Sequence, residues 1–269
     1  MDKTLFISDL DGTLLDKNKR IPDRVIRALE RFVKAGGSFT VATGRTEDTC
    51  RFATEILPVN APMILYNGAC IMERDSGKVL YDRTLDAGAF RPLAEELMER
   101  FPELCLQIFA YGPLILVNDK GTEDPYITGE NQPFRRMGIR ETPDRWLKMM
   151  LSAPPERLRE IKAFIDSVKE GYPPYTGFFS ADHYYELLPE NCGKGEAARW
   201  LAGYMGLPME RVAAMGDHEN DVGLLRAAGI SFAPSNAHES AKAAAGRVLR
   251  KSCDEGAAEQ AAELLTNAE

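Results

Sequence analysis

Short apolar strands alternate with helices in this chain, and this alternation is the feature that most constrains its fold. In the first part of the sequence the spacing predicts strands over 3–8, 38–42 and 63–66, and helices over 22–35 and 47–57. A strand–helix–strand order requires crossover connections, which produce a parallel sheet with helices on both faces. Polar residues that directly follow such strands then meet at one edge of the sheet.

The alternation is interrupted in the middle of the chain. A hairpin is predicted over 71–85, and an irregular segment with helices over 88–100 and 155–170 follows it. After Gly193 the alternation returns, with strands predicted over 212–215 and 230–232 and helices ending at Met205, over 221–228 and over 239–245. We therefore predict an α/β fold. A Rossmann-like parallel-sheet core is formed by residues 1–85 and 186–269, and an α+β domain is inserted over 86–185.

Composition limits the expected partners and compartment. The formal net charge is −8 and the chain has no run rich in Lys and Arg, so nucleic acid is not an expected partner. No apolar run approaches the ~18 residues of a membrane span, and the N-terminus has too short an apolar core for a signal peptide. Five scattered cysteines without a CxxC pair indicate reduced thiols and a cytoplasmic protein: Cys50, Cys70, Cys105, Cys192 and Cys253. The alternative is that Cys192 is a nucleophile.

Two carboxylates lie one residue apart where the first strand ends, in LFISDLDGTLL. Asp9-x-Asp11-Gly12 does not fit a calcium loop, which places its glycine sixth and a glutamate twelfth, because here the glycine is fourth and Arg20 is twelfth. A turn built from Asp and Gly is the structural alternative.

A second acidic stretch follows another apolar strand, in VAAMGDHENDVGLL. Its carboxylates are Asp217, Glu219 and Asp221, at the start of a helix. If the two strand ends lie side by side, three or four carboxylates converge there. Oxygen ligands of this kind suit Mg²⁺, which binds through one or two carboxylates together with a substrate phosphate. The sequence therefore predicts a magnesium site for a phosphorylated ligand.

A carboxylate that attacks a phosphate ester needs cations, because two unit charges ~4 Å apart repel by ~4 kcal/mol at an effective dielectric constant near 20. Lys194 is a candidate, since it lies between Gly193 and Gly195 at the start of a helix. The alternative is an exposed lysine. Thr43 and Gly44 directly follow their strand and could present a hydroxyl and a backbone N–H to phosphate oxygens. An ordinary strand-to-helix turn is the alternative.

Four segments in this order, DLDGT, ATGR, GKG and GDHEND, resemble the motifs of the haloacid dehalogenase superfamily of hydrolases that form a phospho-aspartate. The resemblance is closest to its Cof-like branch of small-molecule phosphatases, with a cap of type C2B. The segments LYNGACI, FAPSNA and DEGAAEQAAELL add to it. Together the matched segments span the expected core, over about 1–85 and 186–269.

The resemblance implies a division of roles among the acids. Asp9 resembles the nucleophile, which also binds Mg²⁺. Asp11 resembles the general acid and base, and its backbone carbonyl resembles a Mg²⁺ ligand. Asp217 resembles the remaining carboxylate ligand of the metal. Asp221 resembles a supporting acid that orients Lys194 or waters on the metal.

The resemblance also implies a phosphate site. Thr43 with Gly44, and Lys194, resemble the residues that bind the phosphate. Asn220 resembles a further phosphate contact, and Leu10 would donate its backbone N–H. Such a set supplies the positioning and the charge stabilisation that a loose phosphoryl-transfer transition state requires.

In the resembled family an insertion at this place is a cap that closes over the site and selects the leaving group. We consider two roles for Arg45: it contacts the substrate, or it pairs with a surface acid. Five residues of the insertion are weak candidates for substrate contacts: Tyr111, Asn118, Tyr126, Arg135 and His183.

The expected function is a Mg²⁺-dependent phosphatase of small phosphorylated metabolites, with sugar phosphates as one class. A phosphotransferase or phosphosugar mutase on the same scaffold is the first alternative. A binding protein without turnover is the second. The sequence does not indicate the oligomeric state.

Overall fold

The computed structural model describes residues 4–118 and 133–267. They form two compact units. The first runs from the N-terminal part of the chain to Tyr81 and resumes at Gly193, and the second is Asp82–Cys192. Tyr126, one of the weak substrate-contact candidates, lies outside the described residues.

Within the described part of the chain the strands β1 to β16 are, in order, Leu5–Ser8, Ser38–Val41, Met63–Leu65, Cys70–Met72, Val79–Asp82, Leu85–Asp86, Cys105–Phe109, Leu114–Asn118, Phe134–Arg136, Arg145–Trp146, Lys148–Ser152, Tyr175–Ala181, Tyr184–Pro189, Val212–Met215, Ile230–Ala233 and Arg247–Val248. The helices α1 to α8 are Asp23–Lys34, Glu47–Thr54, Ala87–Arg100, Pro155–Val168, Lys194–Tyr204, Val222–Ala227, Glu239–Ala244 and Ala257–Thr266.

The first unit contains a five-stranded parallel sheet in the order β16-β15-β14-β1-β2. β3 extends the sheet through a parallel bridge between Ala42 and Ile64. In the register of β1 and β14, Ser8 lies opposite Met215. The two acidic segments that follow these residues are therefore adjacent, as the strand–helix alternation predicts.

Helices cover both faces of this sheet because successive residues of its strands point in opposite directions. Leu5 and Ile7 of β1 are buried in one cluster with Leu201 of α5 and Leu224 of α6. Phe6 points to the other face and packs against Phe32 of α1, with the ring centroids 6.0 Å apart. Burying a side chain of this size contributes about 1.5–3 kcal/mol, so the short strands are held by their side chains on both faces.

The second unit is a six-stranded sheet in the order β12-β13-β11-β7-β8-β9, with α3 and α4 packed on one face. The unit begins and ends outside the expected boundaries of 86 and 185. At its start, β6 pairs with β10 inside this unit. At its end, β13 continues to Pro189 as part of the six-stranded sheet. These strand pairings, which the sequence pattern did not show, extend the second unit beyond the expected segment at both ends.

Several element ends also differ from the prediction. The helix expected over 47–57 ends at Thr54, and Tyr66, expected in β3, begins a single helical turn. Pro22 is the residue before α1 rather than its first residue. Gly36 has φ of 100°, so it ends that helix in the way glycine permits. Among the described residues no helix is both long and apolar enough to cross a membrane.

Candidate active site

Asp9 and Lys194 meet in the interior of the first unit. Asp9 follows β1, and its N–H donates to the carbonyl of Met215 at 2.9 Å, which continues the ladder of the sheet. Lys194 is the first residue of α5, and its Nζ lies 2.6 Å from Asp9 Oδ1 and 2.6 Å from Asp221 Oδ1. All three side chains are buried. The alternative of an exposed lysine at this position is therefore wrong.

Asp221 connects Lys194 to the loop that follows β14. Its Oδ1 accepts from Lys194, and its Oδ2 accepts from the backbone N–H groups of Asp217 at 2.9 Å and His218 at 3.1 Å. One carboxylate thus holds both the lysine and the loop that carries Asp217.

Asp217 completes a cluster with Asp9 and Asp221, in which one carboxylate oxygen from each lies within 4.8 Å of the others. Its Oδ1 accepts from the hydroxyl of Thr13 at 2.9 Å. The close approach of the two acidic segments explains Gly12, because a Cβ at that position would lie 2.3 Å from Asp217 Oδ2. Gly12 also has φ of 75°, a conformation that glycine adopts at little cost.

Burial and like charges raise the pKa of two of these acids. The pKa of Asp9 lies well above its usual value because of burial and the nearby Asp221, Asp217 and Asp11, although Lys194 opposes the shift. Burial, together with the charge of Asp221, raises the pKa of Asp217 to about 7. Burial opposes the charged form of Lys194, but Asp221 and Asp9 raise its pKa above the usual value. The site therefore holds more negative charge than its lysine balances.

The donor set fits a hard divalent cation. Asp9 and Asp217 offer only oxygen atoms, and the repulsion that raises their pKa values is what a bound cation relieves. Asp221 is already committed to Lys194 and to two backbone N–H groups. Asp9 and Asp217 are thus the side chains best placed to hold the metal.

Asp11 is turned towards two cations and is not part of the three-carboxylate cluster found in the described residues. Arg45 donates from Nε to Asp11 Oδ2 at 2.7 Å and from Nη2 to Oδ1 at 2.9 Å. Lys19 Nζ lies 2.5 Å from the same Oδ1. Burial opposes the shift, but hydrogen bonds and charge from Arg45 and Lys19 lower the pKa of Asp11 to about 2. In this arrangement Asp11 is ionised at neutral pH and has no proton to donate.

The remaining predicted residues surround the same sheet edge. The Thr43 hydroxyl accepts from the N–H of Arg45 at 3.1 Å, and the Thr43 carbonyl accepts from Asn67. Asn220 donates to the side chain of Asn67 at 2.9 Å. The Leu10 carbonyl accepts from three successive N–H groups, which makes the turn after β1 tight. Phosphate binding by Leu10, Thr43, Gly44 and Asn220 stays a prediction.

Sequence reasoning missed three contacts in this site. Thr13 was visible only as part of the DLDGT segment, and its hydroxyl holds Asp217. Asn67 directly follows the strand predicted over 63–66, but no sequence signal indicated its contact with Asn220. Lys19 had no signal, because its contact with Asp11 depends on how the loop from Asp16 to Arg20 folds.

The weak candidates of the second unit have local partners. Tyr111 donates to Asp82 at 3.0 Å, Asn118 donates to the carbonyl of Leu104 at 2.9 Å, and the ring of His183 lies 4.1 Å from that of Tyr184. Arg135 is exposed in β9. The cysteines are free thiols, as expected, and Cys192 is buried.

The chain resembles known proteins over nearly its whole length. The family of haloacid dehalogenase-like hydrolases matches residues 6–260. A phosphoglycolate phosphatase of Methanopyrus kandleri is 27% identical, over 97% of this chain and 97% of its own length. The 5-amino-6-(5-phospho-D-ribitylamino)uracil phosphatase YwtE of Bacillus subtilis is 26% identical, over 96% of each chain.

Solved structures share the fold. A haloacid dehalogenase-like hydrolase from Bacteroides thetaiotaomicron superposes with a TM-score of 0.84 at 24% identity, over 97% of this chain and 99% of that one. TM0651 from Thermotoga maritima superposes with a TM-score of 0.80 at 25% identity, over 97% of this chain and 96% of that one.

Proposed function

This chain belongs to the haloacid dehalogenase-like hydrolase family and is a phosphatase, and we propose that it hydrolyses small phosphorylated metabolites through a phosphorylated Asp9 with Mg²⁺ as cofactor. The observation that carries this proposal is the buried contact between Lys194 and Asp9, with Asp217 beside it. A buried lysine that fixes a carboxylate and offsets the charge of a phosphate is what attack by Asp9 requires.

The reaction we propose has two steps. In the first, an oxygen of Asp9 forms a bond to phosphorus, the ester bond to the leaving group breaks, and the leaving oxygen takes a proton from Asp11. In the second, water attacks phosphorus, Asp11 takes a proton from that water, and the bond between Asp9 and phosphorus breaks. Lys194 stays near both carboxylates and offsets negative charge throughout.

The contacts of Asp11 add a condition to this scheme. Arg45 and Lys19 together use both oxygens of Asp11 as acceptors, so a proton on either oxygen faces a donor. Arg45 alone donates to both oxygens, so Asp11 must break at least one of its two hydrogen bonds with Arg45 before it protonates a leaving group. The side chain of Lys19 is 58% exposed and separates more easily than the buried Arg45, but its loss alone frees neither oxygen.

Asp9 and Asp217 are the residues that would hold the magnesium ion, together with the backbone carbonyl of Asp11. When bound, the ion supplies positive charge that offsets the phosphate and the carboxylates. Asp221 has a different role in this proposal: it orients Lys194 and the loop that carries Asp217.

The leaving group is small in this proposal, and the second unit, Asp82–Cys192, is the domain that selects it. The relatives named above act on phosphoglycolate and on a phosphoribityl compound, so small phosphorylated metabolites, including sugar phosphates, are the class to test. We propose no nucleic-acid partner and a cytoplasmic location. A phosphosugar mutase is the second candidate, because Asp9 and Asp11 would also serve transfer to a sugar hydroxyl.

The proposed magnesium site is tested by measuring thermal unfolding and the turnover of p-nitrophenyl phosphate, each with and without Mg²⁺. Mg²⁺ at 100 times its Kd is expected to stabilise the wild type by about 2.7 kcal/mol. Asp217→Asn should lose this stabilisation and most of the turnover, whereas Asp182→Asn, an exposed acid of the second unit, should keep both. An equal effect of Mg²⁺ on the wild type and Asp217→Asn would contradict the proposed ligand.

A panel of phosphorylated metabolites separates the two candidate functions. A phosphatase releases inorganic phosphate from single monophosphates. Turnover that appears only when a bisphosphorylated sugar is supplied would favour the mutase.

A further inference from the structure

Three consecutive residues after β3 have left-handed backbone conformations. Their φ angles are 52° for Tyr66, 56° for Asn67 and 99° for Gly68. Glycine adopts this region freely and asparagine tolerates it, but a tyrosine there is rare. Backbone strain of this kind persists only where the surroundings impose it, and it is concentrated at functional sites.

The turn Tyr66–Gly68 is held by the segment that follows β2. The N–H of Tyr66 donates to the carbonyl of Arg45 at 3.1 Å, and the N–H of Asn67 donates to the carbonyl of Thr43 at 2.9 Å. The hydroxyl of Tyr66 donates to Glu47 Oε2 at 2.5 Å. These three hydrogen bonds all join the turn to the Thr43–Glu47 segment.

The turn Tyr66–Gly68 contacts the segments proposed to bind phosphate. Asn67 Oδ1 accepts from Asn220 Nδ2 at 2.9 Å. A Cβ placed on Gly44 would lie 2.9 Å from Asn67 Nδ2, so Gly44 is in close contact with the same amide. A Cβ placed on Gly68 would lie 2.3 Å from the carbonyl oxygen of Gly193, the residue before Lys194.

We propose that Asn67 is a positioning residue of the phosphate site, acting through Asn220 and Gly44. This inference rests on the proposed function and deepens it. The strained turn fixes the spacing between the Thr43–Gly44 segment and the start of α5, and the amide of Asn67 sets the direction of Asn220.

The side chain at this position must satisfy two demands. It must tolerate a left-handed backbone, and it must present an acceptor to Asn220 without adding charge. Glycine meets only the first demand. Aspartate meets the first and accepts from Asn220, but it would add a negative charge in contact with Gly44 and Asn220, which are proposed to bind phosphate.

The test compares Asn67→Gly with Asn191→Gly. Both asparagines have positive φ, 56° and 52°, so glycine fits the backbone at both, but Asn191 is exposed in the second unit. Inhibition by inorganic phosphate gives its Ki with p-nitrophenyl phosphate as substrate, and thermal unfolding checks the fold. Loss of a hydrogen-bonded positioning contact is expected to raise the Ki and KM by about tenfold in Asn67→Gly, with an unchanged or higher Tm and little change in Asn191→Gly.

A second variant checks the contact with Gly44 directly. Gly44→Ala pushes a methyl group against the Asn67 amide, so it should weaken phosphate binding in the wild-type background and less so together with Asn67→Gly. Unchanged phosphate Ki in Asn67→Gly, or purely additive effects in the double variant, would overturn the inference. If the wild type neither turns over substrate nor binds phosphate, the proposed function itself fails and the inference fails with it.

Discussion

At the scale of single residues, the site is a balance of buried charges. Lys194 lies between Asp9 and Asp221, and the pKa of Asp9 remains raised in spite of it. The sequence predicted these acids and this lysine because each directly follows a strand or opens a helix. It did not predict that Asp11 pairs with Arg45 and Lys19, because such pairing depends on loop geometry that no local pattern encodes.

Replacement of Lys194 by methionine tests this balance. Lys194→Met leaves two buried carboxylates without their cation, so the free energy of unfolding should fall by about 3–5 kcal/mol. Urea denaturation at neutral pH measures the change. Lys162→Met, which removes a surface pair with Asp166, should change it by less than about 1 kcal/mol. Equal stability of Lys194→Met and the wild type would show that the lysine does not compensate these acids.

The ion pair of Asp11 predicts a dependence of stability on pH. The pKa of Asp11 is lowered to about 2 in the folded protein, so its stabilising contribution is present above the unfolded pKa near 3.9 and is lost as the pH falls to about 2. The contribution should be under about 1 kcal/mol because the side chains of Asp11 and Lys19 are 37% and 58% exposed. In urea titrations, the advantage of the wild type over Asp11→Asn should vanish across this range. An advantage that persists at pH 2 would contradict the pairing.

At the scale of elements, the sequence predicted the strands and helices of the core better than their ends. Apolar spacing identifies β14, predicted over 212–215 and found at Val212–Met215, because a buried strand needs a continuous apolar run. The helix predicted over 47–57 ends early at Thr54, since its end is set by packing rather than by spacing. The start of this helix is determined by the local sequence, in which Thr46 is followed by the acids Glu47 and Asp48.

The start of that helix gives a further stability prediction. The Thr46 side chain accepts from the N–H of Thr49 and, in return, the Thr49 hydroxyl accepts from the N–H of Thr46. Thr46→Ala should therefore reduce the free energy of unfolding by about 1 kcal/mol, measured by urea denaturation. Thr46→Ser retains the acceptor oxygen and serves as the control. A cap that contributes nothing would leave all three proteins equally stable.

At the scale of the whole molecule, the chain separates reaction chemistry from the expected selection of substrate. The motifs proposed to carry the chemistry lie in the first unit, and the sequence located them because they follow regular strands or open a helix. The limits of the second unit were not predictable, because β6 pairs with β10, some sixty residues away in the chain. The sequence also did not identify the substrate, because we recognise in the second unit no sequence pattern that is typical of binding a particular ligand.

The most direct test of the account is whether Asp9 carries the phosphoryl group during turnover. The enzyme is mixed with Mg²⁺ and p-nitrophenyl phosphate, quenched in acid within the first turnovers, digested and examined by mass spectrometry. We predict one phosphoryl group on Asp9 in the wild type, and neither label nor turnover in Asp9→Asn. Turnover that survives in Asp9→Asn, or a label on another residue, would contradict the central claim that Asp9 is the nucleophile.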